Sequence, residues 1–68
     1  MIKIKVNGET KEFDDVKTVK DLLKVLDIKR PERVAVEINK EIIEHSAFDQ
    51  KTVRSDDCIE IVSFVGGG

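Results

Sequence analysis

One stretch of this 68-residue chain carries the 3.6-residue period of a helix, and it constrains the fold more than any other feature. Val19, Leu22, Leu23 and Leu26 recur at i, i+3, i+4 and i+7, which lines them up as one apolar stripe. Lys20, Asp21 and Lys24 fall mainly on the other side. Thr18 fits the N-cap: its hydroxyl can accept from the N–H of Asp21, whose carboxylate suits the positive helix end. A helix over 18–27 therefore has one face to bury. The rest of the chain offers it only strands, so that face must lie on a sheet. At this length about 60% of the unfolded surface is buried on folding, enough for one small core and one domain.

The strands are read from period-two alternation. Ile2, Ile4 and Val6 share one face of IKIKV, with Lys3 and Lys5 on the other. Asn7-Gly8 tolerates the positive φ angles of a tight hairpin turn, and ETKEF (9–13) returns as a polar edge strand. VAVEIN (34–39) turns Val34, Val36 and Ile38 inward, Asn39-Lys40 is a turn, and EIIE (41–44) is a short strand. HSAFDQ reads as a turn or single helical turn, and Ser55-Asp56-Asp57 as another turn. CIEIVSFV (58–65) is the longest strand. Ile59, Ile61 and Ser63 share one face, while Cys58, Glu60, Val62 and Phe64 share the other. If Ile59 and Ile61 face the helix, Val62 and Phe64 stand on the open face. A strand apolar on both faces is central or carries a contact patch. The order strand, strand, helix, strand, short strand, strand predicts an α+β, β-grasp (ubiquitin-like) fold. Its mixed sheet of four to five strands has one helix packed on one face. A single domain spans 1–65, followed by a flexible glycine tail, 66–68.

Most chemistries fail on inventory. The chain has one His (His45), one Cys (Cys58), and neither Trp nor Tyr. A zinc site normally takes four Cys or His ligands, so no metal site is expected. Cys58 reads as a small strand side chain and His45 as a solvated loop residue. Asp14-Asp15 reads as a turn leaving a strand, with the carboxylates satisfying local backbone groups. Lys29-Arg30-Pro31-Glu32-Arg33 mixes signs and reads as a solvated connection. Gly8 is the only glycine before the last three residues, which excludes a phosphate-cradling loop. Twelve basic and 14 acidic residues leave a net charge of −2, without the basic excess of a nucleic-acid binder. No long apolar run or signal-peptide pattern is present, and a lone cysteine fits a reducing compartment, so a cytoplasmic protein without a membrane partner is expected.

Three of the four glycines are Gly66, Gly67 and Gly68. Glycine loses the most conformational entropy on ordering, so stability does not explain them. They read either as a frayed terminus without a role or as an arm that, lacking Cβ atoms, can thread a narrow channel. From Val65 to Gly68 that arm reaches roughly 13 Å when extended. It presents one reactive group, the α-carboxylate of Gly68. A carboxylate is a poor acyl donor until activated, for instance as an acyl-adenylate, and this domain has no ATP site of its own.

These features resemble the ThiS family of sulfur carrier proteins of thiamin biosynthesis, within the ubiquitin-like β-grasp superfamily. The resemblance is carried by TVKDLLKVL in the helix, VAVEINKEII in the middle strands and IEIVSFVGGG at the end. It implies a carrier, not an enzyme, and no cofactor bound by this chain. A ThiF-type enzyme (MoeB-type in some organisms) would adenylate Gly68 with its own ATP. A persulfide on a cysteine desulfurase or rhodanese-type donor would displace AMP. The resulting thiocarboxylate would deliver sulfur to a ThiG-type thiazole synthase. By the same resemblance Gly66 and Gly67 thread the partner's channel, and Val62, Phe64 and Val65 lie where family members dock. Family members usually carry Asp-Gly-Asp where this chain has Ser55-Asp56-Asp57. They often carry Asn-Gly where it has Asn39-Lys40, and Pro-Arg where it has Glu44-His45. Competing readings are a carrier like the small subunit of molybdopterin synthase, a ubiquitin-like modifier joined to lysines, and an interaction module with an inert tail.

Overall fold

The computed structural model describes residues 1–63. Strands β1 (Ile2–Val6) and β2 (Glu9–Phe13) form a hairpin, followed by helix α1 (Val19–Val25). Strands β3 (Val34–Ile38) and β4 (Glu41–Ile43) form a second hairpin, and β5 (Cys58–Ser63) comes last. The sheet order is β2-β1-β5-β3-β4. β5 runs parallel to β1 and antiparallel to β3, so the sheet is mixed. This is the β-grasp arrangement, with the last strand in sequence at the centre of the sheet.

The helix begins as the sequence predicts and ends earlier. Asp21 N–H donates to Thr18 Oγ1 at 3.3 Å. Asp21 Oδ2 accepts from the N–H groups of Lys17 (3.0 Å) and Thr18 (3.1 Å), completing a capping box. The next first-turn donors go elsewhere: Val19 N–H to Lys51 O (3.0 Å) and Lys20 N–H to Phe48 O (2.8 Å). The HSAFDQ segment, which holds a 3₁₀ turn at His45–Ala47, thus leads into a backbone cap for α1. At the other end Asp27 takes a left-handed φ of 61°. Ile28 N–H then bonds Leu23 O (2.9 Å) and Asp27 N–H bonds Lys24 O (3.0 Å), a Schellman ending with Asp where glycine is usual. The helix stops at Val25 because of this motif. Leu26 becomes its C-cap and is half-buried, short of the full burial that the stripe implies.

Val19, Leu22 and Leu23 insert into the sheet face at 2% exposure or less. They meet Ile4, Val6, Val34, Val36, Ile38 and Ile59, the residues that alternation turns inward. Phe48, Val16 and Val53 close the rim. Both hairpins turn through two residues of positive φ, as in type I′ turns: Asn7 (50°) and Gly8 (85°), then Asn39 (53°) and Lys40 (72°). Asn39-Lys40 therefore adopts the shape an Asn-Gly pair would take, with lysine accepting the left-handed region. In the 54–57 turn Asp57 N–H bonds Arg54 O (3.1 Å), and Asp56 holds φ 75° where a type II turn needs it.

Two local expectations change. Asp14 and Asp15 are exposed in a bend, but their carboxylates accept no hydrogen bond among the described residues. His45 is exposed yet tethered: its ring Nε2 lies 2.8 Å from Val34 O, to which it donates, and its ring sits 5.0 Å from that of Phe48.

Leu22→Ala should lower the unfolding free energy by about 2–5 kcal/mol, measured by denaturant titration, because a fully buried isopropyl group is removed. A loss well under 1 kcal/mol would contradict the packing of α1. The amide donors of Lys17 and Thr18 hold the Asp21 carboxyl below its ordinary value. A depressed folded-state value contributes stability that is present above pH ~4 and lost as pH falls through the lower folded value. Asp21→Ala should therefore flatten the acid limb of the stability–pH curve, read by thermal melts between neutral pH and pH ~2. An unchanged acid limb would contradict the capping-box assignment.

Candidate functional site

The side chains that point away from α1 form the open face of the sheet. Across its centre lie Cys58, Glu60 and Val62 of β5, flanked by Lys3 and Lys5 of β1 and by Ala35 and Glu37 of β3. Val62 is 58% exposed and stands directly across from Ala35. Ile42, 70% exposed, stands across from Glu37. Glu37 in turn faces Glu60, a like-charged cross-strand pair. The open face thus has an apolar end, at Val62 and Ala35, toward the C-terminal end of β5. Behind that end the surface is acidic, and the β1 side is basic. Cys58 is exposed and unpaired with any other thiol.

Ile59 and Ile61 lie on the helix side, Ile59 fully buried and Ile61 half-buried against the core. The face assignment of β5 read from its alternation therefore matches the structure as far as Ser63. Phe64, Val65, Gly66, Gly67 and Gly68 fall outside the described residues, so of the predicted site residues only Val62 has a described position.

The reading of the sequence missed how β5 is held. Two asparagines at left-handed turn positions, one from each hairpin, reach it with their side-chain amides. Asn39 Oδ1 accepts from Cys58 N–H (3.0 Å), while its Nδ2 donates to Asp57 Oδ1 (3.0 Å). Asn7 Oδ1 accepts from Ile61 N–H (2.7 Å) and its Nδ2 donates to Ile61 O (3.1 Å). The signal available in the sequence was the Asn at each turn. Its second use depends on which strand lies alongside.

An open groove of about 470 Å³ lies between α1 and the two 3₁₀ turns, Pro31–Arg33 and His45–Ala47. Leu23, Ile28, Pro31 and Phe48 supply its apolar lining, with Lys20 and Lys24 against Glu32 and Asp49 at its polar margin. Among the described residues no group of three or more His, Cys, Asp or Glu is placed to hold a metal ion, and no helix is long and apolar enough to cross a membrane.

Residues 4–68 match the model of the ThiS family. The chain is 42% identical over 67 residues to a thiazole synthase of Paramagnetospirillum magneticum and 39% identical to one of Magnetococcus marinus. Each match takes in 98% of this chain but only about a fifth (20%) of the relative. Among solved structures, the crystal structure of a thiamine biosynthesis protein (ThiS) from Geobacter metallireducens superposes with a TM-score of 0.83 at 38% identity. That match covers 98% of this chain and 100% of the other. With the family model matched from the first strand through the three glycines, and the same fold in a solved homologue, the chain belongs to the ThiS family.

Proposed function

We propose that this chain is the sulfur carrier of thiamin biosynthesis and works through the α-carboxylate of Gly68. The observation that carries the reading is the family match across residues 4–68, which includes Gly66, Gly67 and Gly68. The chain acts as a protein co-substrate that is recycled each round, not as a catalyst. It binds no cofactor itself, and the ATP belongs to its activating partner.

The chemistry follows from what a carboxylate can do. An oxygen of Gly68 attacks the α-phosphorus of ATP on a ThiF-type enzyme. Pyrophosphate leaves, and an acyl-adenylate remains. The terminal sulfur of a cysteine persulfide, on a desulfurase or rhodanese-type donor, attacks the acyl carbon and expels AMP. A second thiolate then cleaves the S–S bond, which frees the thiocarboxylate and leaves a disulfide on the donor side. The sulfur passes to a thiazole synthase. Support for that acceptor comes from the two relatives named thiazole synthase, in which a segment like this chain is part of a larger protein. Gly66 and Gly67 give the tail side-chain-free passage to the adenylation centre. Val62, with Phe64 and Val65, supplies the apolar contact beside it. The cytoplasm, with its reduced thiols, is the compartment that suits persulfide chemistry.

Intact-protein mass spectrometry after incubation with ATP, a ThiF-type enzyme and a persulfide source should show one oxygen replaced by sulfur, localised to Gly68. Deletion of Gly68 should abolish that change and leave the thermal melt in place. An unaltered mass with an enzyme proven active on another carrier would reject the reading, and isopeptide adducts on lysines would favour a modifier. Val62→Asp should leave the melt within a few degrees, since surface changes shift stability by about 0.5 kcal/mol or less. It should also lower kcat/KM for adenylation by about tenfold or more, the scale of losing a buried apolar contact. Unchanged kinetics would remove Val62 from the docking surface.

A further inference from the structure

The geometry points to Asn7 as a positioning residue that aims the C-terminal segment of the carrier. This inference rests on the carrier reading above and assigns a role that the reading leaves open. β1 pairs with β5 only at Lys5–Cys58 and Val6–Ile59. Its last backbone bond to β5 runs from Asn7 N–H to Ile59 O, at 2.9 Å. The chain then turns away through Gly8. Continued parallel pairing would next require a partner for Ile61, and the Asn7 side chain supplies it, with Oδ1 taking the Ile61 N–H and Nδ2 giving to the Ile61 carbonyl. One amide thus replaces a missing rung of the ladder on both its donor and acceptor sides.

Beyond Ile59, β5 is otherwise held among the described residues only from the β3 side, through Glu37–Glu60, Val36–Ile61, Ala35–Val62 and Val34–Ser63. Ile61 is therefore the last described point at which β5 is gripped from both edges. It precedes Gly68 by seven residues, a span of roughly 23 Å when extended. A strand held on one edge is free to twist and splay, and that angular freedom is amplified along such a lever. Ordering it on binding costs affinity. Asn7 is also exposed, so water could satisfy its amide and Ile61 equally well. The bidentate bond therefore adds direction more than it adds stability. Asn39 provides an internal control. It sits at the same kind of turn position, at φ 53°, and makes the same kind of side-chain bond to β5, but at Cys58, where the strand begins.

The test uses the full chain in ATP–pyrophosphate exchange with a ThiF-type enzyme, at a temperature where every variant is folded by circular dichroism. Glycine accepts the positive φ of both turns, so Asn7→Gly and Asn39→Gly remove the amides without straining the backbone. Asn7→Gly is expected to raise KM for the carrier about three- to tenfold, with kcat within twofold. Asn39→Gly is expected to lower the melting temperature comparably and to leave KM unchanged. If Asn7→Gly does not fold, Asn7→Asp keeps the acceptor for Ile61 N–H but sets a charged carboxylate oxygen against Ile61 O in place of the donor, and a rise in KM at least as large is expected. A KM within twofold of the unaltered chain, or an equal rise in both glycine variants, overturns the role of Asn7 and leaves the carrier reading standing. Absence of exchange with the unaltered chain overturns the carrier reading, and this inference with it.

Discussion

The placement of β5 between β1 and β3 is the constraint on which the rest of the structure depends. Ile59 closes the core against α1, and the strand's two edges join hairpins that do not otherwise pair with each other. Until β5 inserts, the sheet is two separate ribbons, and a lone two-stranded hairpin is at best marginally stable. The helix stripe of Val19, Leu22 and Leu23 needs the joined surface to bury itself. Folding of the helix face and closing of the sheet are thus one event.

That coupling suits the carrier role proposed for the chain. In the function proposed above the reactive group is a main-chain carboxylate, which leaves the folded body no chemistry to perform. The body provides a surface and a direction. The open face supplies the surface: apolar at Val62 and Ala35, acidic at Glu37 and Glu60, basic along Lys3 and Lys5. The grip of Asn7 on β5 would supply the direction. The opposite side of the sheet is committed to the helix and is not available for either task.

Several features depart from the residues that usually carry them, and the structure shows how each is tolerated. Asp27 ends the helix at a left-handed position where glycine is usual, and Ile28 packs behind it as a partly buried residue. Lys40 and Asp56 take positive φ in exposed turns. A left-handed non-glycine residue costs about 1–2 kcal/mol, which the flanking hairpin and turn bonds offset. His45 reads as a solvated residue from its polar neighbours. Its bond to Val34 O exists because the 3₁₀ turn at His45–Ala47 folds back over the end of β3.

What the sequence alone determined is everything carried by local period and local chemistry. The Thr18 cap, the buried stripe of α1, the inward faces of β1, β3 and β5 and the two hairpins all rest on neighbouring residues. What only the tertiary structure decided is which distant groups meet. The strand order could be drawn from the helix crossover as a class of fold, but not the register of β5 on β1. The backbone cap that Phe48 and Lys51 place on α1, and the reach of Asn7 to Ile61 across 54 positions, have no local signature either. Periodicity tells a strand which face to bury. It does not tell a turn asparagine whose backbone will be lying beside it.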